Sequence, residues 1–111
     1  MTDSVNVAML DELKMLMEED FPLLLETYIQ DSDLRIESLE SAISSGNSTE
    51  VRELAHSFKG SSANLGAQPI ADICFKLEAM GREGNLDEAD SVYSELKEEY
   101  VKVRAYFSNQ L

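Results

Sequence analysis

Residues 47–66 read NSTEVRELAHSFKGSSANLG, and their spacing decides the fold. Val51, Leu54, Ala55, Phe58 and Leu65 recur with a period near 3.6, which is the stripe of an amphipathic helix and not the two-residue alternation of a strand. Asn47 or Ser48 caps the start, with Glu50 placed to close a capping box on Asn47. Gly66 stands where the helix has to stop. Gly60 is out of place: a glycine inside a helix costs about 1 kcal/mol relative to alanine.

Working outward, the same period recurs on both sides. Met9, Leu10, Leu13, Leu16 and Met17 predict a short helix over about 6–18. Leu25, Tyr28, Ile29, Ser32, Ile36, Leu39 and Ile43 predict a long one over about 21–45, closed by SSGN. The quoted stretch makes a helix over about 48–65. Ile70, Ile73, Cys74, Leu77 and Met80 place the next over about 69–82, before GREGN. The last, over about 87–108, carries Ala89, Val92, Tyr93, Leu96, Tyr100, Val103 and Phe107. Pro22 and Pro69 fall in first turns, where a missing N–H costs nothing. The glycines other than Gly60 read as helix ends or connections. No strand pattern, repeat or interdomain linker is visible. The expected fold is all-α: an up-and-down antiparallel four-helix bundle over residues 1–111 as one domain, with a short additional N-terminal helix across one end.

The chain of 111 residues carries 22 Asp and Glu against 9 Lys and Arg, a formal net charge of −13. Such a surface repels phosphate backbones and anionic headgroups, so the expected partners are proteins, with no nucleic acid and no membrane. The lone Cys74 has no partner for an internal disulfide, and the start MTDSVNVAML has neither a basic region nor a long apolar core. No apolar run reaches the roughly 20 residues of a membrane span. A cytoplasmic monomer is the expectation.

His56 is the only histidine. Helical-wheel geometry puts it roughly 150° from the apolar centre of its helix, facing water or a partner. Its surface neighbours at i−4, i+3, i+4 and i+7 are Arg52, Lys59, Gly60 and Ala63, two cations and two residues with almost no side chain. The nearest carboxylate on the wheel is Glu53, over the edge of that face. Imidazole is nucleophilic near neutrality without a helping base, a cation steadies an anion attached to it, and the flat platform of Gly60 and Ala63 leaves room for a donor. One His and one Cys on different faces do not make a zinc set. No Ser-His-Asp constellation, G-x-S-x-G or phosphate-cradling glycine loop is present. Covalent phosphorylation of the ring fits best.

The run AHSFKGSSANLGAQPIADICFKLE resembles the histidine-containing phosphotransfer (HPt) family, whose pattern is H-x-x-K-G-x-(S/A), then LGA, then C-x-x-LE one helix later. The resemblance implies a four-helix bundle that takes a phosphoryl group from a receiver-domain aspartate of a hybrid sensor kinase and passes it to a response regulator. It implies His56 as the phosphorylated residue, Lys59 as the phosphate-steadying cation and Gly60 as the residue that clears space for the partner. Ser61 and Ser62 match small polar positions, turned towards the bundle by the wheel. Arg52, Ala63, Asn64, Gln68 and Glu78 are the candidate docking residues, the last two matching positions with polar groups near the histidine. No intrinsic cofactor, metal, kinase or ATPase activity is implied; magnesium belongs to the receiver. The competing reading is a helical adaptor that binds receiver domains without being phosphorylated.

Overall fold

The computed structural model describes residues 4–111. Five α-helices follow one another: α1 Val7–Met17, α2 Phe21–Ser44, α3 Ser48–Asn64, α4 Gln68–Glu83 and α5 Ala89–Asn109, with a single 3-10 turn, Glu18–Asp20, between the first two. No strand occurs among the described residues. Connections of three to five residues force consecutive helices α2 to α5 to lie antiparallel, and α2 packs against both α3 and α5, so the four close into a bundle. The all-α bundle with an extra N-terminal helix is the architecture that the apolar spacing predicts.

Each bundle helix, α2 to α5, buries the centre of the stripe read from the sequence. Leu25, Leu39, Val51, Ala55, Phe58, Ile70, Cys74, Leu77, Leu96, Val103 and Phe107 have essentially no solvent contact. At the centre, Tyr28 meets Phe107 edge-on with ring centroids 5.3 Å apart, and Phe58 meets Tyr100 the same way at 5.9 Å. Two buried hydroxyls pair with each other: those of Tyr28 and Ser62 lie 2.8 Å apart, and burial pushes the Tyr28 phenol up to about 12. Ser62 therefore packs, as its wheel position requires. The Tyr100 hydroxyl donates to Asp33 Oδ1 at 2.6 Å, and Arg104 grips Asp33 through both carboxylate oxygens at 3.0 Å, tying α5 to α2. That guanidinium holds the Asp33 carboxyl below the usual carboxylate range.

Helix ends follow the residues provided for them. Asn47 Oδ1 accepts from the Glu50 amide at 3.1 Å, and Asn47 Nδ2 donates to Glu50 Oε2 at 3.2 Å, so the box closes between side chains. Gly46, Gly66 and Gly84 adopt left-handed φ of 70°, 79° and 72° at the ends of α2, α3 and α4. α1 is pinned across the bundle by the Asn6 amide, which donates to the Gly66 carbonyl at 2.8 Å. One reading needs correction. Leu16 is 79% exposed, because α1 lies over an end and covers only Leu10 fully, so the apolar residue in its last turn has nothing to pack on. Gly81, read as a helix end or connection, lies buried within the last turn of α4, against α3.

Candidate functional site

The most extensive helix contact in the bundle is between α3 and α4, and the site is built across it. α3 turns His56 outwards because Val51, Ala55 and Phe58 claim the buried face; the imidazole is 69% exposed. Gly60, one turn on, is exposed, and a Cβ placed there meets nothing within 4 Å, so no contact within the chain requires glycine. Arg52 and Asn64 are exposed and Ala63 is partly so, leaving an open face along α3.

A carboxylate does stand beside the histidine, contrary to the wheel. Glu78 comes from α4, is only 7% exposed, and its Oε2 lies 2.9 Å from His56 Nδ1. Its other oxygen accepts from Lys59 Nζ at 2.6 Å, and Arg82 on the same helix approaches Oε2 at 3.4 Å. A wheel sees one helix only, and this partner arrives from the next. Donation from Lys59 above all, and from His56, holds the Glu78 carboxyl below the usual carboxylate range despite its burial. Glu78 is therefore ionised near neutrality and accepts only. Nδ1 must carry the proton, and Nε2 keeps the lone pair and faces outwards.

Lys59 is half-buried; its ammonium sits over the exposed ring of Phe75, 5.4 Å from the centroid, as well as on Glu78. On the other side of the imidazole a recess of about 370 Å³ is lined by Arg52, Glu53, His56, Glu78 and Arg82. Three cations thus surround one nucleophilic ring and the single buried carboxylate that orients it. Ser61 donates its hydroxyl to the Phe58 carbonyl at 3.2 Å and stays within its own helix. Gln68 donates to Asp72 at 2.9 Å; ten residues before Glu78, it stands about 15 Å of helix rise away and does not reach the imidazole. Glu78 is committed to the ring and to Lys59 and lies beneath the exposed face.

Phe75, Arg82 and Gly81 escaped the sequence reading. The Glu78 to Arg82 spacing of four was a readable signal for an ion pair; that Arg82 would thereby be brought beside His56 was not. Among the described residues no group of His, Cys, Asp and Glu could hold a metal ion. Cys74 is buried, its thiol pushed up to about 12 by desolvation, which leaves it no thiolate chemistry. No helix among the described residues is long and apolar enough to cross a membrane.

A closed bundle presenting one exposed, carboxylate-oriented imidazole on its second long helix defines the class. The Hpt domain family profile matches residues 23–106, and the chain belongs to that family. Among solved structures, the chain is similar to histidine-containing phosphotransfer protein B (HptB) of Pseudomonas aeruginosa PAO1, at 34% identity over 99% of this chain and 96% of that one, with a TM-score of 0.94. Yeast YPD1P is 28% identical over 75% of this chain and 52% of its own, at a TM-score of 0.68. A putative histidine-containing phosphotransfer protein from rice shares the fold, with a TM-score of 0.84 at 20% identity over 96% of this chain and 78% of its own. No curated protein sequence matches significantly.

Proposed function

We propose that the chain is a histidine phosphotransfer protein of a multi-step phosphorelay, carrying a phosphoryl group on His56 Nε2 between receiver domains. The observation that carries this reading is the exposed imidazole whose Nδ1 is bound 2.9 Å from a buried, ionised carboxylate. In the forward step the Nε2 lone pair attacks the phosphorus of a receiver's aspartyl phosphate. The P–O bond to the aspartate breaks, and the carboxylate leaves with the electron pair. An Nε2–P bond forms, and the ring, still protonated at Nδ1, becomes cationic. Glu78 faces that developing charge through the Nδ1–H bond, so no proton has to move in either direction. Reversal needs only attack by another receiver's aspartate. Lys59, Arg52 and Arg82 lie close enough to the ring to meet the phosphoryl oxygens, and Gly60 leaves room for the receiver.

The chain supplies a positioned nucleophile and a docking face; the receiver supplies magnesium and most of the charge stabilisation. The protein works as a monomer, since one chain holds every group named. A hybrid kinase's receiver is the donor and a response regulator the acceptor. The experiment is incubation with labelled ATP and magnesium, alone and then with a kinase and its receiver. Label is expected only in the second case, stable in alkali and lost in acid, as a phosphoramidate is. Labelling without a partner, or acid-stable label, would overturn the reading; binding of receivers without label would establish the adaptor instead.

A further inference from the structure

Glu78 reaches His56 across the contact between α3 and α4, and the closest backbone approach shown between these helices falls at a residue away from the imidazole. Gly81 has no positive φ, so backbone conformation does not require glycine there. Helix propensity favours alanine at such a position by about 1 kcal/mol. Contact is what forbids it. A Cβ on Gly81 would stand 2.6 Å from the Arg52 backbone nitrogen, 2.6 Å from the Ser48 carbonyl oxygen and 2.9 Å from the Arg52 Cα. All three are backbone atoms of α3, which no change of rotamer can clear. Ordinary contact begins at 3.4 Å, so α4 would have to withdraw by about 0.8 Å.

Gly81 sits one turn after Glu78, and Arg52 one turn before His56, so the two contacts are adjacent rungs of one helix pair. The Nδ1–Oε2 distance of 2.9 Å has no such slack, because at about 3.6 Å the hydrogen bond is gone. Both carboxylate oxygens are already committed, to His56 and to Lys59, so a side-chain adjustment that restores one bond strains the other. We propose that Gly81 is a positioning residue for phosphotransfer: its missing side chain sets the α3–α4 separation at which Glu78 holds the proton of His56 on Nδ1 and leaves Nε2 free to react. This inference rests on the phosphotransfer reading.

The experiment compares wild type, Gly81→Ala, Val103→Ala, Glu78→Gln and the double variant Gly81→Ala/Glu78→Gln, well below their unfolding transitions. Val103 lies buried in α5 away from the site and reports plain destabilisation. Two readouts are taken: the ¹⁵N shifts of the His56 ring, which give the tautomer, and the rate of phosphorylation by potassium phosphoramidate, which needs no partner protein. The expected result is Nδ1–H in wild type and Val103→Ala, a tautomer mixture in Gly81→Ala, and a rate about tenfold lower in Gly81→Ala alone of those two. In the double variant the Gly81 change should add nothing to the Glu78 loss, since both act through one bond. An unchanged tautomer in Gly81→Ala, additive losses, or equal rate losses in Gly81→Ala and Val103→Ala would overturn the proposal. If Gly81→Ala folds only with trimethylamine oxide, the readouts are taken there; failure to fold even then also overturns it, because the close approach would serve the fold alone. Absence of phosphorylation in wild type would instead sink the phosphotransfer reading, while the ring shifts still judge the spacing.

Discussion

His56→Gln removes the chain's only imidazole, so phosphate incorporation should vanish, whereas stability should fall by at most about 1.5 to 3 kcal/mol, because the ring is exposed and its one link to the buried structure is the hydrogen bond to Glu78. Labelling by a phosphorylated receiver and a thermal melt check both halves; a variant that unfolds would place the ring in the core. Lys59→Ala should behave differently, because the lysine neutralises Glu78 and, in the proposed transfer, would also meet the phosphoryl group. Transfer should slow or the phosphorylated lifetime shorten without phosphorylation being lost, and stability should drop by at most about 1.5 to 3 kcal/mol, the worth of a charged hydrogen bond. Arginine there should rescue only in part, since a planar fork does not replace a compact ammonium over Phe75. Wild-type transfer, dephosphorylation and melting in Lys59→Ala would take the lysine out of the mechanism. At this scale the sequence was legible wherever one helix sufficed. The period of Val51, Ala55 and Phe58 turned His56 outwards and set Lys59 and Gly60 beside it. The carboxylate partner was legible only through the family resemblance, which put a polar group near the histidine at Glu78 and at Gln68 alike; Glu78 lies 22 residues away, and nothing in either helix's own period says how the two register.

At the scale of elements, α3 carries a glycine that no contact within the chain requires. Gly60→Leu should keep or raise helix stability, as a good helix former replaces a poor one, yet slow transfer from a receiver severely by filling the space beside the ring. Single-turnover transfer alongside a melt tests this; an unchanged rate would end the clearance role. Gly60 and Gly81 both fall within helices of the structure, and their reasons are opposite. One faces open space and the other meets backbone at 2.6 Å. Periodicity assigns a face to each, but the distance to the neighbouring helix depends on the whole packed pair, which is why only Gly60 stood out beforehand. The stripes themselves were readable because each bundle helix buries one face and leaves the other in water. Leu16 failed that logic, since a helix laid across an end covers less than a full stripe. On the opposite side, α2 and α5 are tied by Tyr100, Asp33 and Arg104, a link with no trace in either helix's spacing.

For the molecule as a whole, the decisive quantity is the net charge of −13, against ion pairs that lie largely at the surface. Exposed pairs are each worth about 0 to 1 kcal/mol, while like charges distributed over the surface repel at all separations within a Debye length. Repulsion should therefore dominate, and raising salt from about 0.01 M to about 0.5 M at neutral pH should raise the melting temperature. A lower melting temperature in salt would show that links such as Arg104 to Asp33 outweigh it. Acid works through other groups. The Glu78 and Asp33 carboxyls are held below their ordinary values of 4.5 and 3.8, so the stability they contribute is fully present above those values and is lost as pH falls through the lower folded-state ones. The fold should thus stay intact down to about pH 4.5, with the acid unfolding limb below it. In Glu78→Gln that limb should be shallower, one group fewer having to take up a proton. Chemical denaturation of wild type and Glu78→Gln, repeated across the acid range, measures this. An acid limb of equal steepness in wild type and Glu78→Gln would mean that the carboxylate is not held by Lys59 and His56 in solution, and the orientation of Nε2 would lose its cause.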